Sequence, residues 1–96
     1  MNDPGLLIMT SLSSGPKHGH ALLLDIEAFA GVRLGPGTLY GAITRLEERG
    51  LIEPLEAEDR RRPYRLTPAG TVALEDSLAG LRRVVDVALT RMAAAT

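Results

Sequence analysis

Cysteine and tryptophan are absent from this 96-residue sequence, and aromatic side chains make up only 3% of it. The lack of cysteine excludes disulfides, thiolate catalysis and zinc sites with cysteine ligands, and it suits a reducing cytoplasm. With so few aromatic residues, the core must consist of Leu, Ile, Val, Met and Ala. No apolar run approaches the roughly 20 residues that span a bilayer, and the N-terminus lacks the segments of a signal peptide. We therefore expect a cytoplasmic protein without a membrane partner.

The sequence also lacks a recognisable catalytic or cofactor-binding motif. It contains no Ser-His-Asp or paired-carboxylate arrangement within one plausible pocket and no phosphate-binding glycine loop. Its two histidines, His18 and His20, could form a pH sensor or half of a metal site. Residues spaced by two do not share a helix face, so a transition-metal site would need acidic partners or a second chain. We expect no enzymatic activity, no metal and no cofactor, and interpret the histidines as helix-start or phosphate-facing residues.

Positive charge is concentrated in one segment rather than abundant overall. The chain has 11 basic and 12 acidic residues, a formal net charge of -1, and ordinary globular fractions of hydrophobic (45%) and charged (24%) residues. Its length allows one domain. Arg60, Arg61, Arg62 and Arg65 lie within six positions, whereas the acidic residues are spread more widely. Such a charge run is usually a solvated surface, but it can also contact phosphate groups.

Apolar periodicity predicts two helices in the first third of the chain. The first begins at Asp3 and Pro4, a capping residue followed by a proline that suits the first helical position, and it ends near Gly15. The second runs from about residue 17 or 18 to residue 30. Its apolar positions follow helical spacing: Leu22, Leu23, Ile26, Phe29 and Ala30.

The third predicted helix, at about residues 36–49, carries the most informative pattern. Leu39, Ile43 and Leu46 form one inward stripe. A glycine inside a helix costs up to about 1 kcal/mol relative to alanine, so an exposed Gly41 favours a functional face over an ordinary surface helix. The short turn at 31–35 joins this helix to the second, which predicts a helix-turn-helix. The opposite face is small and polar: Gly37, Gly41, Thr44, Arg45 and Glu48.

Two short strands are predicted at about residues 51–55 and 62–66, with a hairpin tip between them. Each strand contains a proline, which suits an edge position. The predicted fold class is therefore mainly α with a small β-hairpin. We expect a winged helix-turn-helix domain at residues 1–66 and a C-terminal dimerisation helix at residues 67–96, joined in one compact unit.

The last predicted helix begins at Thr67-Pro68 and runs to about residue 93. At about 1.5 Å per residue it would be near 40 Å long, more than a domain of this size can cover alone. Its apolar residues alternate by three and four positions, as in a coiled-coil seam. The alternatives are a monomer's own core, to which Leu74 and Leu78 could belong, and a homodimer seam, which we favour. The predicted seam residues are Leu74, Leu78, Leu81, Val85, Ala88 and Met92.

Several segments resemble the PadR family of transcriptional regulators, and together they cover nearly the whole chain. The most specific are Pro-Gly-Thr-Leu-Tyr at 36–40 and Tyr-Arg-Leu-Thr at 64–67; His-Gly-His-Ala-Leu at 18–22 and Arg-Leu-Glu-Glu-Arg-Gly-Leu-Ile at 45–52 extend the likeness. The resemblance implies a winged helix-turn-helix repressor that dimerises through its C-terminal helices, here in the short subgroup with one such helix. The sequence departs from the family where His18 and His20 replace the usual tyrosines, and where the wing at 59–63 lacks glycines.

Together, these features predict a homodimeric DNA-binding regulator, expected to be a repressor, that binds a near-palindromic operator. The third helix would enter the major groove, which is about 12 Å wide. The arginine wing would contact phosphates along the adjoining minor groove. The predicted DNA contacts are Lys17, His18, Gly37, Thr38, Tyr40, Thr44, Arg45, Arg60, Arg61, Arg62 and Tyr64.

The near-neutral net charge supports a rival interpretation, a winged-helix protein–protein interaction module that does not bind DNA. A seam lined by Leu, Val and Ala could also hold a small apolar effector. The sequence leaves the effector, the operator and the regulated genes open.

Overall fold

The computed structural model describes residues 3–95, which form four helices and a three-stranded antiparallel sheet. Residues 1, 2 and 96, which the predicted domain ranges include, lie outside the described residues. The mainly helical prediction with its small β element is confirmed. In chain order the elements are α1 (Pro4–Leu12), β1 (Lys17–His18), α2 (Gly19–Ala30), α3 (Pro36–Glu48), β2 (Ile52–Pro54), β3 (Pro63–Leu66) and α4 (Pro68–Ala95).

Helix α1 is the central element of the fold. It begins as predicted, because Asp3 Oδ1 accepts a hydrogen bond from the Leu6 amide at 3.2 Å and Pro4 occupies the first turn. It packs against α2, α3 and α4. Ile8 is fully buried and Leu12 nearly so, so α1 lies inside the helical layer instead of covering it.

The core is aliphatic, as the scarcity of aromatic residues predicts. Phe29 does not belong to it, because it lies in the last turn of α2 at the edge of the helix packing and remains 47% exposed. By contrast, Leu23 and Ala30 of the same helix are partly buried against the core. The largest fully buried hydrophobic side chains are Ile8, Leu22, Ile26, Leu39 and Ile52.

The sheet contains one strand that was not predicted. Lys17 and His18 form β1 rather than the first turn of α2, and they pair with Tyr64 and Pro63 of β3. The predicted hairpin of β2 and β3 is present, but β3 becomes the central strand in the order β1-β3-β2. The sequence predicted an edge position for Pro63, but this residue lies in the central strand, so that prediction is wrong. It is tolerated because it is the first residue of β3.

A compact junction fixes the direction of α4 relative to α3. The Thr67 hydroxyl donates to the Gly50 carbonyl at 2.6 Å and accepts from the Gly70 amide at 3.0 Å, so one side chain caps α4 and contacts the end of α3. The Thr67 amide also donates to the Leu51 carbonyl at 3.1 Å. A Cβ atom at Gly70 would overlap that carbonyl oxygen, so only glycine allows this close approach.

Helix α4 projects beyond the other elements, and the described chain as a whole measures 56 × 26 × 20 Å. Of the predicted seam residues, Leu74 is buried in the chain's own core and Leu81 packs partly against it, whereas Leu78 remains 44% exposed. The helix ends at Ala95, two residues beyond the predicted end. No helix within residues 3–95 is long and apolar enough to cross a bilayer. The large apolar side chains exposed past Leu81 are Val84, Val85, Val87, Leu89 and Met92.

Candidate nucleic-acid interface

The outer face of α3 is open and makes few contacts with the rest of the chain. Leu39, Ile43 and Leu46 are buried on the inner side, as predicted, with at most 4% exposure. The opposite side exposes Gly37 and Thr38. A Cβ atom at Gly37 would meet nothing within 4 Å, so the chain's own packing does not require a glycine there.

Two polar side chains stand on that outer face. The Thr44 hydroxyl donates to the Tyr40 carbonyl one turn earlier at 3.0 Å. The Arg45 guanidinium lies alongside Gly41, where a Cβ atom would be 3.4 Å from Nη1. Within residues 3–95, no hydrogen bond or ion pair holds this guanidinium. Arg45 is therefore a cation available for an external acceptor.

The wing hairpin turns between Glu58 and Arg61, which exchange backbone hydrogen bonds of 2.7 and 2.8 Å. The two central residues, Asp59 and Arg60, have φ of 46° and 67°. Both therefore occupy the left-handed region, as in a type I′ turn, without the glycine that usually relieves this conformation. The turn holds the Arg60 side chain at the tip of the wing.

The three arginines of the wing have different surroundings. Arg61 Nη1 lies 3.3 Å from His18 Nε2, so it bridges the wing and the start of α2. Arg62 Nη1 donates to the Leu55 carbonyl at 2.8 Å and braces the base of the hairpin. Arg60 has no hydrogen-bond or ion-pair partner in the described part of the chain. Among these three wing arginines, one cation is thus free within the described residues and two are already engaged.

Tyr40 joins α3 to the start of α2. Its side chain is 50% exposed, and a Cβ atom at Gly19 would overlap its hydroxyl group. Tyr64 lies in the same region, in the central strand β3. Burial raises the pKa of Tyr64, followed by the negative charges of Glu47 and of ionised Tyr40, while Arg62 lowers it. The Tyr64 phenol therefore stays protonated as a hydrogen-bond donor at neutral pH.

A cavity of about 270 Å³ lies between the start of α2, Tyr40 and the wing. It brings together most of the predicted contacts outside α3's outer face, and we call it the basic cavity. The cavity lining also includes His20, which was not among the predicted DNA contacts. Its position next to Gly19 in the sequence could have indicated this. The lining residues are His18, Gly19, His20, Tyr40, Arg60, Arg61, Arg62 and Tyr64.

Lys17, also a predicted contact, lies outside the basic cavity. Its ammonium group donates to the Ser11 carbonyl and to the Ser14 hydroxyl, the latter at 2.7 Å. It is also 3.9 Å from Asp25, whose carboxylate accepts a hydrogen bond from the Ser11 hydroxyl. These bonds place the cation at the C-terminal end of α1, where its positive charge interacts favourably with the helix dipole. The geometry gives Lys17 a structural role between α1 and α2.

No group of three or more histidine or acidic side chains within residues 3–95 could hold a metal ion. The polar groups exposed around the outer face of α3 and in the basic cavity are guanidinium groups, phenols and imidazoles. Such a set can bind anionic oxygens and base edges.

Comparison with known proteins identifies the family. Residues 8–76 match the family described as the transcriptional regulator PadR-like family. A 37.1 kDa protein of a Streptomyces fradiae transposon is 47% identical over 83 residues, which is 86% of this chain but only 24% of that protein. A transcriptional regulator of Mycobacterium tuberculosis is 37% identical over 82 residues, covering 82% of this chain and 76% of the regulator.

Solved structures show the same fold. A PadR family transcription regulator from Clostridium difficile has a TM-score of 0.80 at 25% identity, with 88% of this chain and 92% of that chain covered. A transcriptional regulator from Clostridium thermocellum has a TM-score of 0.79 at 26% identity, with 86% of each chain covered. RosR of H. salinarum has a TM-score of 0.74 at 26% identity, with 100% and 96% covered. The chain therefore belongs to the PadR-like family of transcriptional regulators, as its motifs predicted, and not to a family of enzymes.

Proposed function

We propose that this transcriptional regulator is a homodimeric DNA-binding repressor that recognises a near-palindromic operator. Helix α3 would lie in the major groove, and the wing would follow the adjoining minor groove. The observation that carries this proposal is the outer face of α3, where the Arg45 guanidinium lies alongside Gly41 and has no partner within residues 3–95.

The dimensions of α3 support insertion into the groove. Its 13 residues extend about 20 Å at roughly 1.5 Å per residue, and a major groove about 12 Å wide admits one helix. The open space at Gly37 lets the backbone approach the bases. Arg45 and Thr44 would then reach base edges, and Thr38 and Tyr40 would contact the phosphate backbone.

The wing supports a second contact. Arg60 at its tip has no partner among the described residues, and arginine suits the negative potential of a narrow minor groove. Arg61 and Arg62 would contribute charge near the phosphates while they hold the wing in place. Together with α3, these cations give a basic surface on a chain whose formal net charge is -1.

The exposed part of α4 supports dimerisation. Leu78, Val85 and Met92 recur every seven residues and are 44%, 52% and 66% exposed, so an apolar stripe runs along the projecting half of the helix. A second copy of the chain would cover this stripe and relate two α3 helices by a two-fold axis. Residues 1–66 would then read the DNA and residues 67–96 would pair the two copies.

The remaining predictions follow from this arrangement. Because the proposed partner is chromosomal DNA, the chain would act in the cytoplasm. Repression is what the family resemblance implies for a dimer bound at its operator. The predicted apolar effector would have to bind along α4, where a groove of about 530 Å³ is lined by residues such as Val84, Val87 and Met92.

The proposal is tested by a mobility-shift titration that compares Arg45→Ala with the wild type. The DNA is a genomic fragment that the wild-type protein has been shown to bind. We expect Arg45→Ala to weaken binding about 5- to 100-fold, the equivalent of about 1–3 kcal/mol. Arg83→Ala is the matched control, because it removes the same charge from the side of α4 opposite the heptad stripe. Equal effects of the two substitutions would contradict the assignment of α3.

The near-neutral net charge favours one rival function, a protein–protein interaction module. A folded dimer that retains no genomic fragment at low salt would support this rival and reject the DNA proposal.

A further inference from the structure

The start of α4 is bonded to the end of α3 through a single residue, Thr67. Only Thr67 separates β3, which ends at Leu66, from α4, which begins at Pro68. Its hydroxyl donates to the Gly50 carbonyl at 2.6 Å, and its amide donates to the Leu51 carbonyl at 3.1 Å. Two consecutive carbonyls that follow α3 are thus bonded to the one residue that precedes α4.

The α3 side of this contact is fixed by the way that helix ends. Gly50 is left-handed, with φ of 73°. Its amide donates to the Glu47 carbonyl and the Leu51 amide donates to the Leu46 carbonyl, both at 3.0 Å. These two bonds form a Schellman motif, which closes the C-terminus of a helix. The carbonyl that accepts from the Thr67 hydroxyl therefore follows any movement of α3.

The α4 side is held by the same hydroxyl. It accepts a hydrogen bond from the Gly70 amide at 3.0 Å and so caps the first turn of α4. In the part of α4 that the structure describes, the only buried residues are Gly70 and Leu74. Leu74 lies about 10 Å along the helix from Thr67, at roughly 1.5 Å per residue. Thr67 and Leu74 are thus the two points that set the direction of α4.

The length of α4 amplifies a small displacement at its start. A shift of about 1 Å at Thr67, with Leu74 held in the core, would tilt the helix by about 6° over those roughly 10 Å. Met92 lies about 27 Å beyond Leu74, so it would move by about 3 Å. Successive phosphates of one DNA strand are about 3.4 Å apart. The displacement at the far end of α4 is therefore comparable to one base pair.

We propose that the Thr67 hydroxyl is a positioning group that sets the spacing between the two half-sites of the operator. It holds α3 and α4 at one angle, so two copies paired along α4 would present their α3 helices at one separation. The inference rests on the proposed function, because it requires the homodimer and its two half-sites. Thr67 is not among the proposed DNA contacts, so it would act only through the angle between the two helices.

Two substitutions isolate the hydroxyl. Thr67→Val keeps the shape of the side chain and the amide bond to Leu51, but it loses the bonds to Gly50 and Gly70. Thr67→Ser keeps the hydroxyl and is the matched control. Thermal melts of both variants establish a temperature at which each is folded, and both experiments are carried out below it.

The first experiment needs no DNA. The chain contains no cysteine, so Glu48→Cys on α3 and Arg83→Cys on α4, both at exposed positions, introduce two sites for spin labels. Labelled protein is diluted with unlabelled protein, so that distances between copies do not contribute. We expect one narrow distance distribution in the wild-type background and in Thr67→Ser, and a broader or shifted one in Thr67→Val.

The second experiment measures the affinity for duplexes whose half-sites are moved one or two base pairs closer or farther apart. A duplex with a single half-site is the reference. We expect wild type to bind the moved half-sites at least about tenfold more weakly than the selected spacing, because avidity is lost where geometry forbids simultaneous contact. Thr67→Val should reduce this ratio to about threefold or less, with an unchanged affinity for the single half-site. Thr67→Ser should keep the wild-type ratio.

The two experiments separate the possible failures. An unchanged distance distribution in Thr67→Val would overturn the inference, because α4 would then be held without the hydroxyl. A changed distribution with the wild-type spacing ratio would also overturn it, because the spacing would be set elsewhere. If no duplex binds, the proposed function fails and the spacing role fails with it, whereas the distance distribution still shows whether Thr67 fixes α4 against α3.

Discussion

The wing arginines show how neighbouring identical residues acquire different roles from their surroundings. Arg62 is bonded to the Leu55 carbonyl, Arg61 contacts His18, and Arg60 has no partner within residues 3–95. Arg60 is also held in a left-handed backbone conformation, with φ of 67°. A non-glycine residue in this region costs on the order of 1 kcal/mol. Of the two residues in this conformation, Asp59 and Arg60, the cationic one is thus without a partner within residues 3–95.

Arg60→Gly should separate the stability of the wing from its binding function. Glycine adopts the left-handed region without strain, so we expect the free energy of unfolding to stay equal or rise by up to about 1 kcal/mol. The lost charge should weaken DNA binding and reduce the slope of log affinity against log salt by about one. Urea unfolding and anisotropy titrations at several salt concentrations measure both. An unchanged salt slope would show that Arg60 does not contact phosphate.

Tyr64 provides a pH test of the folded site. Its pKa is raised in the folded protein, mainly by burial, so folding stabilises the protonated phenol. This contribution is fully present below the unfolded pKa of about 10 and is lost as the pH rises through the folded value. Urea unfolding at about pH 9 and pH 11 should show a smaller loss of stability in Tyr64→Phe than in wild type. An equal loss in both proteins would refute the assigned environment of Tyr64.

At the scale of elements, α3 combines a buried stripe with an outer face that the fold itself does not require. Leu39 and Ile43 fix the helix against the core, whereas nothing within 4 Å would contact a Cβ atom at Gly37. Retaining a glycine in this helix costs stability relative to alanine. A close approach of the backbone to a ligand would explain that cost.

Gly37→Ala should therefore raise stability and lower affinity. We expect a gain of a few tenths to about 1 kcal/mol in the free energy of unfolding, because alanine has the higher helix propensity. The added methyl group should weaken DNA binding, because it would lie between the backbone and the groove. Urea unfolding and a mobility-shift titration measure the two effects. Tighter or unchanged binding would mean that α3 does not approach DNA at this residue.

The elements also show what could be predicted from the sequence. The start of α1 and the inner stripe of α3 were predictable because caps and helical spacing are local signals. Strand β1 was not, since a two-residue strand has no periodicity and its pairing with β3 depends on the fold. The contact of His18 with Arg61, 43 residues away, is equally non-local. The sequence shows that Lys17 is a cation, which led to its prediction as a DNA contact. Only the structure reveals that its ammonium group is bonded to the end of α1.

At the scale of the whole molecule, the proposed DNA-binding surface and the projecting half of α4 lie in different parts of the chain. The N-terminal elements form a core around α1, and the junction at Thr67 sets the direction in which α4 leaves it. Beyond Leu81 the apolar side chains of α4 are exposed. A second copy would cover them and fix the spacing between two α3 helices.

Val85→Asp tests this proposed pairing. Val85 is 52% exposed on the heptad stripe, so a charge there should disrupt the seam while it leaves the core of the single chain intact. Sedimentation should show a shift from dimer to monomer, and affinity for a two-half-site fragment should fall. Val72→Asp is the matched control, because Val72 is 58% exposed on the opposite side of the same helix. A dimeric Val85→Asp protein would exclude this stripe as the seam.

The most direct measurement is the selection, by the purified protein, of DNA fragments that it binds from the source genome, followed by sequencing. We predict that the retained fragments share a near-palindromic motif whose half-sites are about one helical turn, or a small multiple of it, apart. A folded dimer that retains no fragment at low salt, or retains fragments without a shared motif, would contradict sequence-specific DNA binding by this regulator.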